Sequence, residues 1–144
     1  MPILHNKYDT PELIDPQFAA EDPVILYLVV KESLNMSIGK TAAQCGHAVQ
    51  YFMMKFLEIQ TLPTKDEPTN FLLLTAQEWL SSSFRKVVLR ANDSKFERLK
   101  EELPCLVVHD AGLTEIPNGS ETVLALWPML KSQAPKLVKQ LRVL

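Results

Sequence analysis

The chain has few cysteines and glycines, and it has no long apolar run. Its 144 residues include two cysteines, three histidines and four glycines. Two cysteines cannot build the disulfide framework of a small secreted domain, and neither they nor the histidines have metal-site spacing. Cys45 and Cys105 lie in apolar surroundings, which predicts buried free thiols in a reducing compartment. No stretch approaches the roughly 18 consecutive apolar residues of a membrane span, so no membrane association is predicted.

An excess of positive charge is also missing. Fifteen lysines and arginines face 17 carboxylates, for a net charge of −2, which is not the footprint of a general nucleic-acid coat. A local basic patch stays compatible with this balance, and its candidate members are Lys31, Lys40, Lys55, Arg85, Lys86 and Arg90. The N-terminus has no basic segment before an apolar core and carries five carboxylates in residues 1–22, which argues against secretory and mitochondrial signals. We therefore expect a cytoplasmic protein.

The chain does have alternating strand and helix patterns, and its length fits one domain. Prolines and charges without periodicity predict an irregular N-terminal arm over residues 1–22, followed by the domain over 23–144. Strands are predicted at 24–30, 86–91, 105–109 and 122–127, and helices at 40–59, 71–80, 95–103 and 135–141. This order predicts a single α/β domain: a four-stranded mixed or mostly parallel sheet with helices on both faces.

The link between the first strand and the first helix carries the densest group of reactive side chains. Lys40, Gln44, His47 and Tyr51 are spaced three or four residues apart, so a helix places them on one side. The apolar side is predicted to hold Ala42, Cys45, Val49, Phe52 and Phe56. The N-terminal turns of this helix should therefore present a cation, an amide and an imidazole together.

A phosphate-binding loop is one interpretation of the same link, because Gly39-Lys40-Thr41 matches the end of that motif. The motif also needs a glycine five residues before Gly39, and Leu34 stands there. The loop holds no second glycine to let backbone amides surround phosphates. We therefore reject a nucleotide-binding loop.

A carboxylate can join this cation at one edge of the sheet. Ligands of open α/β sheets bind beyond the carboxyl ends of the strands. Lys40 follows the first predicted strand, and Asp110 follows the third. If these two strands are parallel, both side chains meet at the same edge, within the distance of a salt bridge or of one water.

Two motifs occur in order on these elements: Gly39-Lys40-Thr41-Ala42-Ala43-Gln44-Cys45-Gly46-His47-Ala48, and Asp110-Ala111-Gly112-Leu113-Thr114-Glu115 with Gly119-Ser120. With them, residues 23–144 resemble the type-2 peptidyl-tRNA hydrolases of archaea and eukaryotes. The resemblance implies hydrolysis of the ester between a peptide and the 3′-terminal ribose of tRNA, which recycles peptidyl-tRNA without a metal or organic cofactor. By position, it implies Lys40 and Asp110 as catalytic residues and Gln44, His47, Thr114 and Ser120 as substrate-binding residues.

The chemistry suggests a role for each of the two catalytic candidates. Ester hydrolysis needs an oriented water, a proton acceptor and positive charge at the developing oxyanion. Asp110 can orient or deprotonate the water, and Lys40 can stabilise negative charge or hold a phosphate. A neighbouring lysine makes an aspartate a weaker base, so the identity of the base stays open. The structural alternatives are a turn carboxylate and a solvated lysine; the paired motifs favour function for both.

The remaining site candidates have comparable structural explanations. Gln44 can bind the peptide or ribose, or be an exposed helix amide. Thr114 can bond Asp110 or the water, or cap a loop. His47 is a candidate base, although a satisfied, half-buried histidine is favoured. Ser120 is expected to serve the Pro117–Ser120 turn rather than chemistry.

Other side chains are assigned to the core. Cys45 has no visible base beside it, so nucleophilic thiol catalysis is not expected. Trp79, Trp127 and Tyr51 can stack on nucleotide bases, but core packing is the expectation for each.

A rival hypothesis is a catalytically weak or inactive binding module for RNA or protein partners. Trp127 stands where the family commonly has glycine, Ser33 stands where it often has an acid, and basic residues are missing near Ile38. The negative net charge points the same way. A separate expectation concerns assembly, since the apolar stretch 71–74 is a candidate surface for a homodimer.

Overall fold

The computed structural model describes residues 22–111 and 115–144. Its strands are β1 (Val24–Lys31), β2 (Arg85–Ala91), β3 (Cys105–His109), β4 (Glu121–Leu126), β5 (Met129–Leu130) and β6 (Arg142–Val143). Its α-helices are α1 (Ile38–Thr61), α2 (Glu67–Glu78), α3 (Asp93–Glu102) and α4 (Lys136–Lys139). The predicted arm lies outside the described residues except for Asp22, whose carboxylate accepts hydrogen bonds from the backbone and hydroxyl of Ser132.

The strands form one open mixed sheet in the order β3-β4-β1-β2-β6, with β5 beside the start of β1. Among the described strands, β1 and β2 are the one parallel pair, and the other pairings are antiparallel. The predicted α/β domain with a mixed sheet is confirmed. The count of four strands is wrong, because the sheet has six. The two strands that sequence analysis missed are each two residues long, too short for an alternating pattern to indicate them.

Strand β1 lies at the centre of the sheet and is buried on both faces. Its eight residues read Val-Ile-Leu-Tyr-Leu-Val-Val-Lys, a run rich in β-branched side chains that suits a covered strand. Alternate side chains from Val24 to Val30 pack with α1 and α2, whereas Ile25, Tyr27 and Val29 pack with α3 and α4. Each fully buried Val or Leu contributes about 1.5–3 kcal/mol, so this strand anchors both layers.

Side-chain caps begin the three long helices. Ser37, Asp66 and Asn92 each accept a hydrogen bond from a backbone N–H three residues on, at 3.2, 2.8 and 2.9 Å. The predicted start of the second helix at 71 is wrong. Asp66 caps the helix earlier. Pro68 is tolerated in the first turn, because backbone N–H groups there have no acceptor within the helix and proline therefore loses no hydrogen bond.

The two tryptophans lie in the core, as expected. Trp79 is 1% exposed and donates its indole N–H to the carbonyl of Arg85 at 2.7 Å. Trp127 is 6% exposed, packs its edge against Phe52 at 4.9 Å between ring centroids, and donates to the carbonyl of Leu72 at 2.8 Å. The third aromatic candidate, Tyr51, keeps 41% exposure on α1, so core packing is wrong for it.

Candidate active site

Lys40 and Asp110 meet at the carboxyl edge of the sheet. Strands β1 and β3 each pair antiparallel with β4, so they run in the same direction, as the sequence argument required. Lys40 lies in the first turn of α1 after β1, and Asp110 directly follows β3. Lys40 Nζ lies 2.6 Å from Asp110 Oδ1, and the two side chains are 11% and 6% exposed. The helix N-terminus and the strand end thus hold an ion pair that is nearly buried.

A second contact to the same carboxylate oxygen comes from Gln44, one turn further along α1. Gln44 Nε2 donates to Asp110 Oδ1 at 3.1 Å, and Thr122 Oγ1 donates to Gln44 Oε1 at 2.6 Å. A carboxylate only accepts hydrogen bonds, so the orientation of the amide is determined by its neighbours. Gln44 and Thr122 are 3% and 0% exposed. The geometry therefore favours Gln44 as a residue that positions Asp110 over one that contacts substrate.

A β-bulge turns Thr122 toward this site. Val108 pairs with Val123, but the next residue of β3, His109, pairs with Glu121, so Thr122 is the extra residue of β4. Val123 already faces the α1 side of the sheet. In a regular strand, Thr122 would face the other side, whereas here its hydroxyl reaches Gln44 on α1.

The turn at Pro117–Ser120 fixes the backbone of Asp110. The Asp110 N–H donates to the carbonyl of Ser120, and the Gly119 N–H donates to the carbonyl of Asp110, each at 2.8 Å. Gly119 has a φ of +79°, which the third position of a type II turn requires and which glycine adopts without strain. Ser120 Oγ donates to the carbonyl of Pro117 at 2.7 Å. Ser120 therefore serves the turn, which holds the aspartate in place.

The same loop also binds the N-terminus of α1 through Glu115. Its carboxylate accepts from the backbone N–H of Ser37 at 2.9 Å and from the Ser37 hydroxyl at 2.7 Å. These two hydrogen bonds, with the nearby charge of Lys40, lower the pKa of Glu115 below its usual range. Glu115 thus ties the loop that carries Asp110 to the helix that carries Lys40.

One predicted site residue, His47, lies away from the pair, and another, Thr114, cannot be placed. His47 is exposed on α1, so the expectation of a half-buried histidine is wrong, and the described residues show no hydrogen bond from it to the Lys40–Asp110 pair. Thr114 lies outside the described residues. The four-residue group predicted on one side of α1 is divided: Lys40 and Gln44 face Asp110, whereas His47 and Tyr51 face outward.

The buried stripe of α1 differs from the predicted one at its N-terminal end. Its members are Gln44, Ala48, Phe52, Phe56 and Ile59. Ala42, assigned to the apolar side, is exposed. A glutamine enters the stripe because both ends of its amide have partners inside the protein.

Sequence analysis missed Thr122 and Glu115. Thr122 opens an otherwise apolar run, and a polar residue at the start of a buried strand is a signal that could have drawn attention to it. Glu115 belongs to the second motif, but the motif does not indicate its contact, because its partner Ser37 lies 78 residues earlier in the chain.

The predicted basic patch does not form as one surface. Arg85 and Arg90 lie at opposite ends of β2, about 16 Å apart along the strand. Lys40 is bound to Asp110, and Lys55 lies beside Glu58 at 3.3 Å on the outer face of α1. Arg90 lies near the carboxyl end of β2, where it lines a groove with Lys95 and Arg142.

The cysteines carry free thiols, as predicted, but both are half-buried rather than buried. Burial raises the pKa of Cys45 and of Cys105, which opposes a nucleophilic role. Across residues 22–111 and 115–144 we find no group of three or more His, Cys, Asp or Glu side chains able to hold a metal ion. The helices in these ranges include none long and apolar enough to cross a membrane.

Comparison with known proteins places the chain in a family. A family model described as peptidyl-tRNA hydrolase PTH2 matches residues 24–144. Peptidyl-tRNA hydrolase 2 of Saccharomyces cerevisiae is 32% identical over 127 residues, which are 83% of this chain and 58% of the yeast protein. The peptidyl-tRNA hydrolases of Methanococcus maripaludis strain C6 and Pyrobaculum aerophilum are 31% and 32% identical, and the matches cover 96% and 97% of those proteins and 81% and 83% of this chain. This chain belongs to the PTH2 family of peptidyl-tRNA hydrolases.

Proposed function

We propose that this protein hydrolyses the ester bond between a peptide and the 3′-terminal ribose of tRNA, with Lys40 and Asp110 as its catalytic pair. The observation that carries the proposal is the 2.6 Å contact between Lys40 Nζ and Asp110 Oδ1 at the carboxyl edge of the sheet. Family membership supports the reaction, and the geometry supports its location.

Asp110 holds the attacking water and accepts its proton as the tetrahedral intermediate forms. When the intermediate collapses, the ester C–O bond breaks and Asp110 returns this proton to the leaving ribose oxygen. The cation beside Asp110 makes it a weak base, so orientation of the water contributes more than prior deprotonation. Lys40 stabilises the negative charge that develops on the carbonyl oxygen. It lies in the first turn of α1, where the helix dipole adds to its positive charge.

The surrounding residues keep this pair in a productive position. Gln44 and Thr122 form a hydrogen-bonded chain behind the carboxylate, and the turn at Pro117–Ser120 holds its backbone. Preorganised groups of this kind save the free energy that reorganisation would cost during reaction. Contact of substrate with His47, Thr114 and Ser120 remains a prediction from the family resemblance.

The rival hypothesis of an inactive binding module is not favoured. Trp127, which motivated it, lies in the core and follows the far end of β4, about 16 Å along the strand from Thr122. Its ring packs with Phe52 of α1 and Leu72 of α2 rather than with the Lys40–Asp110 pair. The substitution therefore bears on packing and leaves the candidate chemistry in place.

The test is release of peptide from an N-blocked aminoacyl-tRNA. We expect turnover by the native chain and loss of turnover in Lys40→Ala and Asp110→Ala. Lys55→Ala is a matched control, since Lys55 lies on the outer face of the same helix and is 45% exposed. Turnover that survives both site changes would move the chemistry elsewhere, and a folded native chain that binds tRNA without turnover would restore the rival hypothesis.

We also infer that two copies pair through α2. Phe71 and Leu74 keep 61% and 62% exposure, whereas Leu72 and Leu73 pack on the core. Two exposed large apolar side chains one turn apart suit an interface between copies. Sedimentation of the native chain and of Phe71→Ser tests this, and a native monomer at all concentrations would reject it.

A cytoplasmic location and a boundary between arm and domain near residue 22 complete the proposal. Free thiols at Cys45 and Cys105 support a reducing compartment. Deletion of residues 1–21 should leave folding and ester hydrolysis unchanged; loss of either would place the arm within the functional unit.

A further inference from the structure

A cluster of cations lies at the same edge of the sheet as the candidate active site, on the side of β2 and β6. A surface groove of about 370 Å³ lies there, and its charged lining residues are Glu32, Arg90, Lys95 and Arg142. Three of these residues are cations, and Glu32 is the one carboxylate. A groove with excess positive charge is unexpected on a chain whose net charge is −2.

Two arginines face each other directly across the strands of this groove. In the antiparallel pairing of β2 with β6, Arg90 is the register partner of Arg142. Directly opposed residues of an antiparallel pair project to the same face, and like charges in that position destabilise a sheet. Glu32 lies 3.8 Å from Arg90, with both side chains well exposed, so one weak ion pair offsets little of this repulsion. An anion between the two guanidinium groups would remove the unfavourable term.

The groove lies close enough to the candidate active site for one ligand to contact both. Strand β3, which Asp110 directly follows, is separated from β2 by three strand spacings and from β6 by four. These spacings correspond to about 14–19 Å. Arg90 is the second-last residue of β2, whose carboxyl end lies beside that of β1. The groove and the Lys40–Asp110 pair therefore share one edge and one ligand can span both.

We propose that Arg90 and Arg142, with Lys95 beside them, bind backbone phosphates of the tRNA a few nucleotides from its 3′ end. This inference rests on the proposed function, because it assumes an ester substrate at Lys40 and Asp110. Guanidinium groups bind phosphate oxygens in a bidentate manner, and a phosphate between two arginines offsets both charges. The groove gives the enzyme affinity for the RNA portion of its substrate, whereas Lys40 and Asp110 carry out the ester hydrolysis.

The experiment compares two substrates of different length. The first is a full N-blocked aminoacyl-tRNA, and the second is the matching N-blocked aminoacyl-adenosine, which is too short to reach the groove. The variants are Arg90→Gln, Arg142→Gln and their combination. Arg98→Gln is the matched control, because Arg98 is a 57% exposed arginine on α3 paired with Glu102 and outside the groove.

For the full tRNA, we expect each groove variant to raise KM and the Kd of deacylated tRNA about tenfold at low salt, with kcat unchanged. The slope of log Kd against log salt concentration should fall by about one for each arginine removed. Thermal midpoints of the groove variants should stay equal or rise, since a like-charge pair is lost.

Folded groove variants with native KM, Kd and salt slope would overturn the assignment, as would equal losses in Arg98→Gln. Equal losses with both substrates would also overturn it, because they would indicate damage to the ester site. These failures leave the proposed function intact if the native chain hydrolyses the short ester. If the native chain hydrolyses neither substrate, the proposed function fails, and the Kd of deacylated tRNA in the same variants still decides whether the groove binds RNA.

Discussion

Lys40 and Asp110 are 70 residues apart in the chain, yet their charged atoms lie 2.6 Å apart in a site where both side chains are nearly buried. Removal of one partner leaves the other charge buried without its counter-ion, which typically costs about 3–5 kcal/mol. We therefore expect Lys40→Met and Asp110→Asn each to lower the free energy of unfolding by about 3 kcal/mol. The double variant should lose much less than the sum, because no uncompensated charge remains. Urea unfolding measures all three values.

Measurements of turnover in the same variants distinguish a catalytic ion pair from a purely structural one. Each single variant and the double variant should lose peptidyl-tRNA turnover, although the double variant regains much of the stability. Strictly additive stability losses would mean that the two charges do not interact in solution. A stable double variant with native turnover would show that the ion pair holds the loop and nothing more.

Thr122 should affect catalysis although it does not face solvent. Thr122→Val removes the hydroxyl that donates to Gln44 Oε1 at 2.6 Å and leaves a buried amide oxygen without its donor. We expect a loss of about 1–3 kcal/mol in stability and a fall in kcat. Without the hydrogen bond from Thr122, the Gln44 amide is less well oriented to donate to Asp110.

The control for this change is Thr122→Ser, which keeps the hydroxyl. It should restore kcat even if the lost methyl group costs some stability. A kcat that follows stability in both variants, or that is native in Thr122→Val, would argue against a positioning role for Thr122.

The sequence predicted the two charges of the site but not the residues that support them. Lys40 and Asp110 each follow a predicted strand, and the pair was predicted on the condition that these strands run in the same direction, which the sheet meets. Thr122 was missed, because the β-bulge that turns it toward the site is not visible in a residue pattern. For Gln44 the sequence left two alternatives, a substrate contact or an exposed helix amide. Neither describes its buried position, since helical spacing alone cannot reveal a polar residue whose partners come from a distant strand. Long-range hydrogen bonds therefore mark the limit of sequence analysis here.

Glu115 gives the site a predictable response to acid. Its pKa is lowered in the folded protein by the hydrogen bonds from Ser37, so it stabilises the fold at pH values above the ordinary glutamate pKa. That contribution is lost as the pH falls through the lowered value, because the folded state must then accept a proton. Glu115→Gln lacks the charge at every pH. The difference in protection of the Ser37 amide between the native chain and the variant should therefore be largest near neutral pH and shrink in acid.

Amide hydrogen exchange followed against pH measures this effect. Asp66→Ala is the control: Asp66 caps α2, and hydrogen bonds from Thr69 lower its pKa in the same way. That variant should expose the first turn of α2 and leave protection of Ser37 unchanged. Equal protection of Ser37 in the native chain and Glu115→Gln at neutral pH would show that the loop is not held by this carboxylate.

Trp127 should matter for stability and not for chemistry. Trp127→Ala removes a ring that is 6% exposed and packs against Phe52, so a loss of about 3–5 kcal/mol in unfolding free energy is expected. Trp127→Phe keeps most of the volume but loses the indole donor to the Leu72 carbonyl, at a cost of about 1 kcal/mol. Both variants should retain native kcat at temperatures where they are folded, since the ring lies about 16 Å along β4 from Thr122. Chemical unfolding and steady-state hydrolysis provide the two measurements. A fall in kcat in a folded Trp127→Phe chain would mean that packing between α2 and β4 is coupled to the position of Lys40 and Asp110, and that the substitution has altered the enzyme itself.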